Sequence, residues 1–538
     1  MSIPKNLNMA TGPEKQIAFR FFTGRLQRAE NMHFAPPKAG GRAIGYGIKQ
    51  AGEAGKGVFK GSRGSATIQL EGSVMDLTTK IIKHVLDSRF ETVPKKAIER
   101  AKLSILDTLA SAIGGSDDKI AHFARHLGAL SGGKPECTVW VSGEKLPACL
   151  ATLINATTAR SLDFDETYEL CINGCHASAY DVPPALALAE RDPSITGREL
   201  LSALATAIDL HVRLARSVTA NSINTGRDNM VAVWGATAVS TKLLRLDEEK
   251  TRNAFGIAYA HAAGEFQMYE EGAHTVSLQQ GLRARSGVES ALSAMVGFNG
   301  PREPFFGKYG FYKAFETNYD LGLLMGKLGD DYVNASISFK PWPSCKCTHP
   351  GVDGLLQLRE KHNFMGEDIV SIELGLNHLA ESLVVQPRDQ KWSPKDPVVA
   401  RFSLPYVISV AAQHGRVAIS DFRPDALEDP AVRRIMAATN IEVDPEIDRT
   451  HGLHQNSPTT VCVKLKGGAE HFIRIDKPFG HPDNPASLAD GMRKLKACAE
   501  MSVLPFSDTQ LDLIGEFVED LDKRPTLAPL FELLVGGK

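Results

Sequence analysis

A succession of helical segments that are apolar on more than one face is the feature that most limits what this chain can become. Ile98, Ala101, Ile105, Leu109 and Ala112 recur at spacings of three and four, the period of a helix face turned toward a core. Thr92 and Pro94 mark the start of that helix and Gly114-Gly115 its stop. Residues 196–216 open on a Thr196-x-x-Glu199 capping box and continue as LLSALATAIDLHVRLA. Residues 231–246, then 247–263 with Asp247 as cap, then 284–297, add further helical runs. Helices this rich in Ala and Leu around their circumference must be enclosed by other helices. Residues 75–338 are therefore predicted to form a large all-helical domain.

The pattern changes near residue 340. Ile372, Leu374 and Leu376 alternate with Ser371, Glu373 and Gly375, which predicts a strand. Ile441 and Val443 predict a second short strand, and residues 459–475 a hairpin turning at Gly467-Gly468. Helical runs at 403–413 and 428–438 lie between them. Residues 339–486 read as a small α+β domain. Residues 487–538 return to helical patterning and are expected to pack back on the large domain. The fold class is mainly α.

Charge separates a further segment. The 538 residues carry a formal charge of −2, but residues 1–72 alone have 11 Lys+Arg against 4 Asp+Glu. Residues 1–74 are basic and Gly-rich, a composition that predicts disorder. Residues 14–30 also suit a short basic amphipathic helix, as in a transit peptide. The remaining body is acidic, which excludes nucleic-acid binding as its main work. No stretch approaches the ~20 apolar residues that span a bilayer, so no membrane partner is expected. Eight cysteines do not make a disulfide scaffold. Cys171-x3-Cys175 and Cys345-x-Cys347 lack the spacing usual in zinc and iron–sulfur sites, so no metal is expected. These features fit a reducing compartment: cytoplasmic, or mitochondrial if the extension is a transit peptide.

Reactive side chains concentrate in two places. Asp163-Phe164-Asp165-Glu166-Thr167-Tyr168, followed by His176, interrupts two apolar segments. Carboxylates, a hydroxyl and an imidazole in one loop suit proton transfer; helix capping and a surface histidine account for the same residues equally well. The second place is Phe339-Lys340-Pro341-Trp342-Pro343-Ser344. A lysine held beside fixed prolines can hold a carboxylate, and the alternative is a linker with a solvated lysine. Tyr406 opens a helical run, as a proton donor or as a packed aromatic. No GxxxxGK[ST], GxSxG or HExxH motif is present.

In their order and spacing these segments resemble the MmgE/PrpD family of 2-methylcitrate dehydratases, cis-aconitate decarboxylases and iminodisuccinate epimerases. The resemblance rests on AKLSILDTLASAIGG (101–115), LDFDET…H (162–176), GATAVSTKLLRLD (235–247), GFNGPREPFFGKYGFYKAF (297–315), KPWPSCKCTH (340–349) and RFSLPY (401–406). It implies a helical domain with a smaller α+β lid, a homodimer, and cofactor-free chemistry on a small carboxylic acid. It also implies roles. His176 would be the acid/base, with Asp163 and Thr167 beside it. Lys340 would hold a carboxylate, and Tyr406 would stand near the site. The chain departs from the pattern in several positions. Glu166 replaces a common aspartate and Ala177 a common proline. Gly226-Arg227-Asp228-Asn229 lacks a histidine, and Val276 and Gln279 stand where a lysine and a histidine are usual. Losing a cation leaves a substrate carboxylate unpaired, so Arg227 and His274 are the expected replacements. A hydro-lyase is the first expectation. An epimerase or a decarboxylase on the same scaffold is the alternative, and a non-catalytic binding relative is a further one.

Overall fold

The computed structural model describes residues 74–452 and 457–537. The Gly-rich extension and the helix expected over 14–30 lie outside the described residues. The described chain is mainly helical, with a two-stranded ribbon and a four-stranded sheet. None of its helices is long and apolar enough to cross a membrane.

The first part is built from α1 (Val74–Asp87), α2 (Lys95–Gly114), α3 (Lys119–Ser131), α4 (Ala148–Arg160), α5 (Ala177–Arg191), α6 (Gly197–Ser217), α7 (Ala232–Leu243), α8 (Glu248–Tyr259) and α9 (Thr275–Met295). The enclosure expected from composition is seen directly. From Ala101 to Gly114 every residue of α2 is buried, and α6 buries all but a few of its 21 residues. Each fully buried Leu or Ile stabilises by ~1.5–3 kcal/mol relative to exposure. The Thr196–Glu199 capping box closes the start of α6, satisfying backbone N–H groups that have no partner within the helix. α9 lies directly on α4 because Gly281 has no side chain. A Cβ there would come within 2.2 Å of Thr157 Oγ1 and 2.4 Å of Leu153 O.

The second part holds α10 (His349–His362), α11 (Leu404–His414) and α12 (Pro430–Ala437) against a sheet. After the ribbon β1 (Cys137–Thr138) and β2 (Lys145–Leu146), the sheet strands are β3 (Ile369–Leu376), β4 (Thr439–Val443), β5 (Thr459–Leu465) and β6 (Glu470–Ile475), in the order β4-β3-β5-β6. β3 runs parallel to β4 and antiparallel to β5, with Leu374 opposite Ile441 and Val461. Alternation along β3 buries Ile372, Leu374 and Leu376, the three residues that marked the strand in the sequence.

Two large apolar clusters result. One joins α1, α2 and α4 to α9 with α13 (Leu488–Ala499) and α14 (Asp508–Glu519), so that Leu77 and Leu534 belong to the same core. The other gathers Val352, Ile372, Tyr406 and Val461 of the second part.

Candidate functional site

The loop 161–176 leaves the end of α4 and enters α5, and a cleft opens where it faces the second apolar cluster. Arg160, Asp163, His176, Tyr180, Asp228, Asn229, Tyr269 and Gln280 line one side, and Lys340, Cys345, Lys346 and Phe402 the other. The cleft is partly open to solvent.

Charge pairing organises the cleft floor. Arg160, the last residue of α4 and only 2% exposed, donates to Asp163 and, at 3.4 Å, to Asp165. Lys340 Nζ donates to the Asp163 backbone oxygen at 2.9 Å and lies 3.1 Å from its carboxylate. His176 Nδ1 lies 3.0 Å from Asp165 Oδ2. Asp163 has φ of 51°, a left-handed conformation that Asp tolerates better than most residues. Burial alone would raise both carboxyls, but Arg160 with Lys340 holds Asp163 below its ordinary range, and Arg160 with His176 does so for Asp165. Burial, and then the Arg160 charge, push the His176 imidazole below its ordinary value. His176 is therefore neutral at pH 7. An ionised Asp165 accepts from Nδ1–H, so Nε2 carries the free lone pair.

A second layer fixes the loop from behind. Lys494 of α13 donates to Phe164 O at 2.5 Å, Lys340 O at 3.2 Å and Asp107 Oδ1 at 2.7 Å. Asp107 Oδ2 accepts from the Glu166 backbone N–H at 2.8 Å. The Glu166 carboxylate accepts from Ser104 and Arg100 and so faces away from the cleft.

Asp163, His176 and Lys340 come together as expected, and Lys340 is 1% exposed, which overturns the solvated-linker reading. Four expected residues stand elsewhere. Thr167 is fully buried and forms an antiparallel bridge with Ser338; its hydroxyl donates to Cys175 O at 3.3 Å. Tyr406 sits in the second apolar cluster and donates its hydroxyl to Asp421 O, because the start of α11 turns it inward. Arg227 lies in a neighbouring cavity, 3.4 Å from Glu316. His274 packs on Phe123, with ring centroids 5.8 Å apart. Neither replaces the missing lysine, and Val276 packs in the apolar cluster of the second part.

Residues the sequence reading passed over complete the cleft. Arg160 closes an apolar helix three residues before Asp163. Lys346 adds a second buried lysine from the Lys340 segment. Tyr180 accepts from Arg283 Nη1 at 2.8 Å, and burial raises its phenol above the ordinary range. Asp163, Asp165 and His176 also bring ligating atoms within 4.8 Å of one another, a spacing a metal could use. Arg160 already donates to both carboxylates and Lys340 to Asp163, so a divalent ion there would face two fixed cations. The donor set fits an anionic organic ligand better than a metal.

The model of the MmgE/PrpD N-terminal domain matches residues 79–324 and that of the C-terminal domain residues 342–516. The chain belongs to the MmgE/PrpD family, whose members are enzymes acting on carboxylic acids. It is 27% identical over 455 residues to the cis-aconitate decarboxylase of Homo sapiens, covering 81% of this chain and 90% of that one. The Mus musculus cis-aconitate decarboxylase is 27% identical over 462 residues, covering 81% and 89%. That of Aspergillus terreus is 22% identical over 482 residues, covering 85% and 96%.

Proposed function

We propose that the cleft is the active site of a cofactor-independent lyase acting on a small di- or tricarboxylic acid, with dehydration of a hydroxy acid as its reaction. The observation that supports this is a neutral imidazole, oriented by Asp165, beside two buried cations, Arg160 and Lys340. A base next to cations that hold a carboxylate is what removal of a proton α to that carboxylate requires.

His176 Nε2 takes the α-proton. The electron pair left on carbon forms the double bond as the β-hydroxyl departs. Tyr180 supplies the proton that makes the leaving group water, since its oxygen accepts from Arg283 and its own proton is free to be donated. The proton on His176 then returns to the phenolate, so one hydroxy acid gives one unsaturated acid and one water. Decarboxylation is the second reading, favoured by the activity named for the relatives. There the C–C bond to a carboxylate breaks, CO₂ leaves, and a proton taken from solvent by His176 Nε2 is passed to the carbon.

Incubation of the protein in D₂O with citrates, aconitates and hydroxydiacids, followed by proton NMR, separates these readings. New vinyl signals are expected. Loss of CO₂ with new methylene signals would replace dehydration by decarboxylation, and exchange without net conversion would indicate an epimerase. No exchange with any acid, or full activity in a His176→Ala variant, would sink the proton-transfer reading.

A further inference from the structure

A second carboxylate–imidazole pair lies behind the cleft, unused by the chemistry above. Asp181 of α5 and His211 of α6 are both fully buried, with His211 Nδ1 3.1 Å from Asp181 Oδ2. The space they occupy exists because residue 235 of α7 is glycine. A Cβ there would come within 2.6 Å of Asp181 Oδ1 and 2.7 Å of His211 Nδ1. The pair does not reach substrate. The other ring nitrogen, Nε2, is covered at 3.2 Å by Asn229 Nδ2, and an amide relays no proton in ordinary acid–base steps.

The pair orients that amide. With Asp181 ionised, its carboxylate accepts only, so His211 Nδ1 carries the proton and, in the neutral imidazole, Nε2 is an acceptor. The group facing Nε2 must then be the Asn229 NH₂, which leaves the amide oxygen for the other side. Asn229 lines the cleft, and its Oδ1 is buried with no hydrogen-bond partner. Gln280, also lining the cleft and 3% exposed, has an Oε1 in the same condition. Ionised carboxylates bring no hydrogen-bond donor. A polycarboxylate without any other polar group would press acceptors against acceptors or leave these two bare, which is unfavourable.

We propose that Asn229 is a specificity-determining residue, its carbonyl held by the Asp181–His211 pair to accept a hydrogen bond from a hydroxyl or ammonium group of the substrate. His211 and Asp181 are positioning residues in this arrangement. The proposal rests on the reading of the cleft as a polycarboxylate site, and adds that the acid recognised carries a donor on its carbon skeleton.

Calorimetric titration of the full chain with two matched pairs, citrate against tricarballylate and malate against succinate, tests it. Members of each pair differ by one hydroxyl. The hydroxylated member of at least one pair is expected to bind about tenfold more tightly. Asn229→Ala should bring that ratio to within about twofold, and His211→Phe should do the same with Asn229 still present. A merely structural loss would weaken both members of a pair together and leave their ratio unchanged. If His211→Phe does not fold, the wild-type ratio and its response to Asn229→Ala still decide. Equal or tighter binding of the donor-free acids by the wild type, as expected if the imidazole tautomer and the amide were both reversed, overturns the proposal alone. So does a ratio that Asn229→Ala leaves intact. Absence of binding by all four acids overturns the polycarboxylate reading together with it.

Discussion

Replacing Lys494 by methionine isolates what one buried ammonium does for the site. The change keeps most of the side-chain stem but removes three donors, to Phe164 O, Lys340 O and Asp107 Oδ1. It also leaves Asp107, which is fully buried, with a single backbone N–H partner from Glu166. Removing one member of a buried ion pair costs ~3–5 kcal/mol, most of it from the uncompensated charge. Lys494→Met should therefore lose about that much stability, read as a shift in the urea transition followed by tryptophan fluorescence. Trp140 and Trp234 lie in the same apolar cluster as α13 and report on it. Adding Asp107→Asn removes the bare charge, and should recover ~2 kcal/mol or more although the two carbonyl contacts stay lost. Turnover should remain low in both variants, because the loop carrying Asp163 and the segment carrying Lys340 have lost their common anchor. A single variant that loses less than ~1 kcal/mol, or a double variant no more stable than the single one, would refute the charge argument.

Other perturbations test other contacts. Tyr406→Phe removes a hydroxyl bonded to Asp421 O, away from the cleft, so it should cost ~0.5–1.5 kcal/mol while kcat/KM stays within about twofold; a large loss of kcat would return Tyr406 to the site. Val276→Lys restores the family's usual residue but places an ammonium in an apolar cluster. It should lower the thermal midpoint without tightening carboxylate binding, and tighter binding at unchanged stability would contradict the packing described. His176 is held below its ordinary value, first by burial and then by Arg160, so the unfolded chain takes up the proton first. Its contribution to stability is complete above pH of about 6.5 and declines as the pH falls below that. Urea midpoints taken across that range should show this slope in the wild type and a flatter one in His176→Gln.

The helices were legible in the sequence because burial writes its period into apolar spacing, and the strand at Ile372–Leu376 was legible for the same reason. α9 shows where that signal stops. The expected run began at residue 284, whereas the helix begins at Thr275. Gln279, Gln280 and Arg283 of α9 are buried polar residues, and Gln280 lines the cleft, so its first half has no apolar period to read. Asp163 and His176 stand out as polar interruptions of apolar sequence, and Lys340 as a lysine beside fixed prolines. Tyr180 and Tyr269 carry no such mark, since an aromatic lining a cleft looks like an aromatic in a core. Arg227 and His274 are close along the chain to the missing histidine and lysine. Closeness says nothing of direction, and the fold turns one to Glu316 and the other to Phe123.

The large apolar cluster has a kinetic consequence. Val141 N–H donates to Leu534 O at 2.8 Å, and Gly536 N–H returns a bond to Val141 O at 2.9 Å, so the two segments that meet are separated by almost four hundred positions. Contacts of such high order form late, because loop closure must be completed before they contribute. During synthesis, α2 and α6 leave the ribosome with the faces that residues 488–523 cover still open to water, and Lys494 has not yet reached the loop it anchors. The first part of this protein is thus expected to depend on chaperones until those residues emerge, and the site to acquire its geometry in one of the last steps of folding.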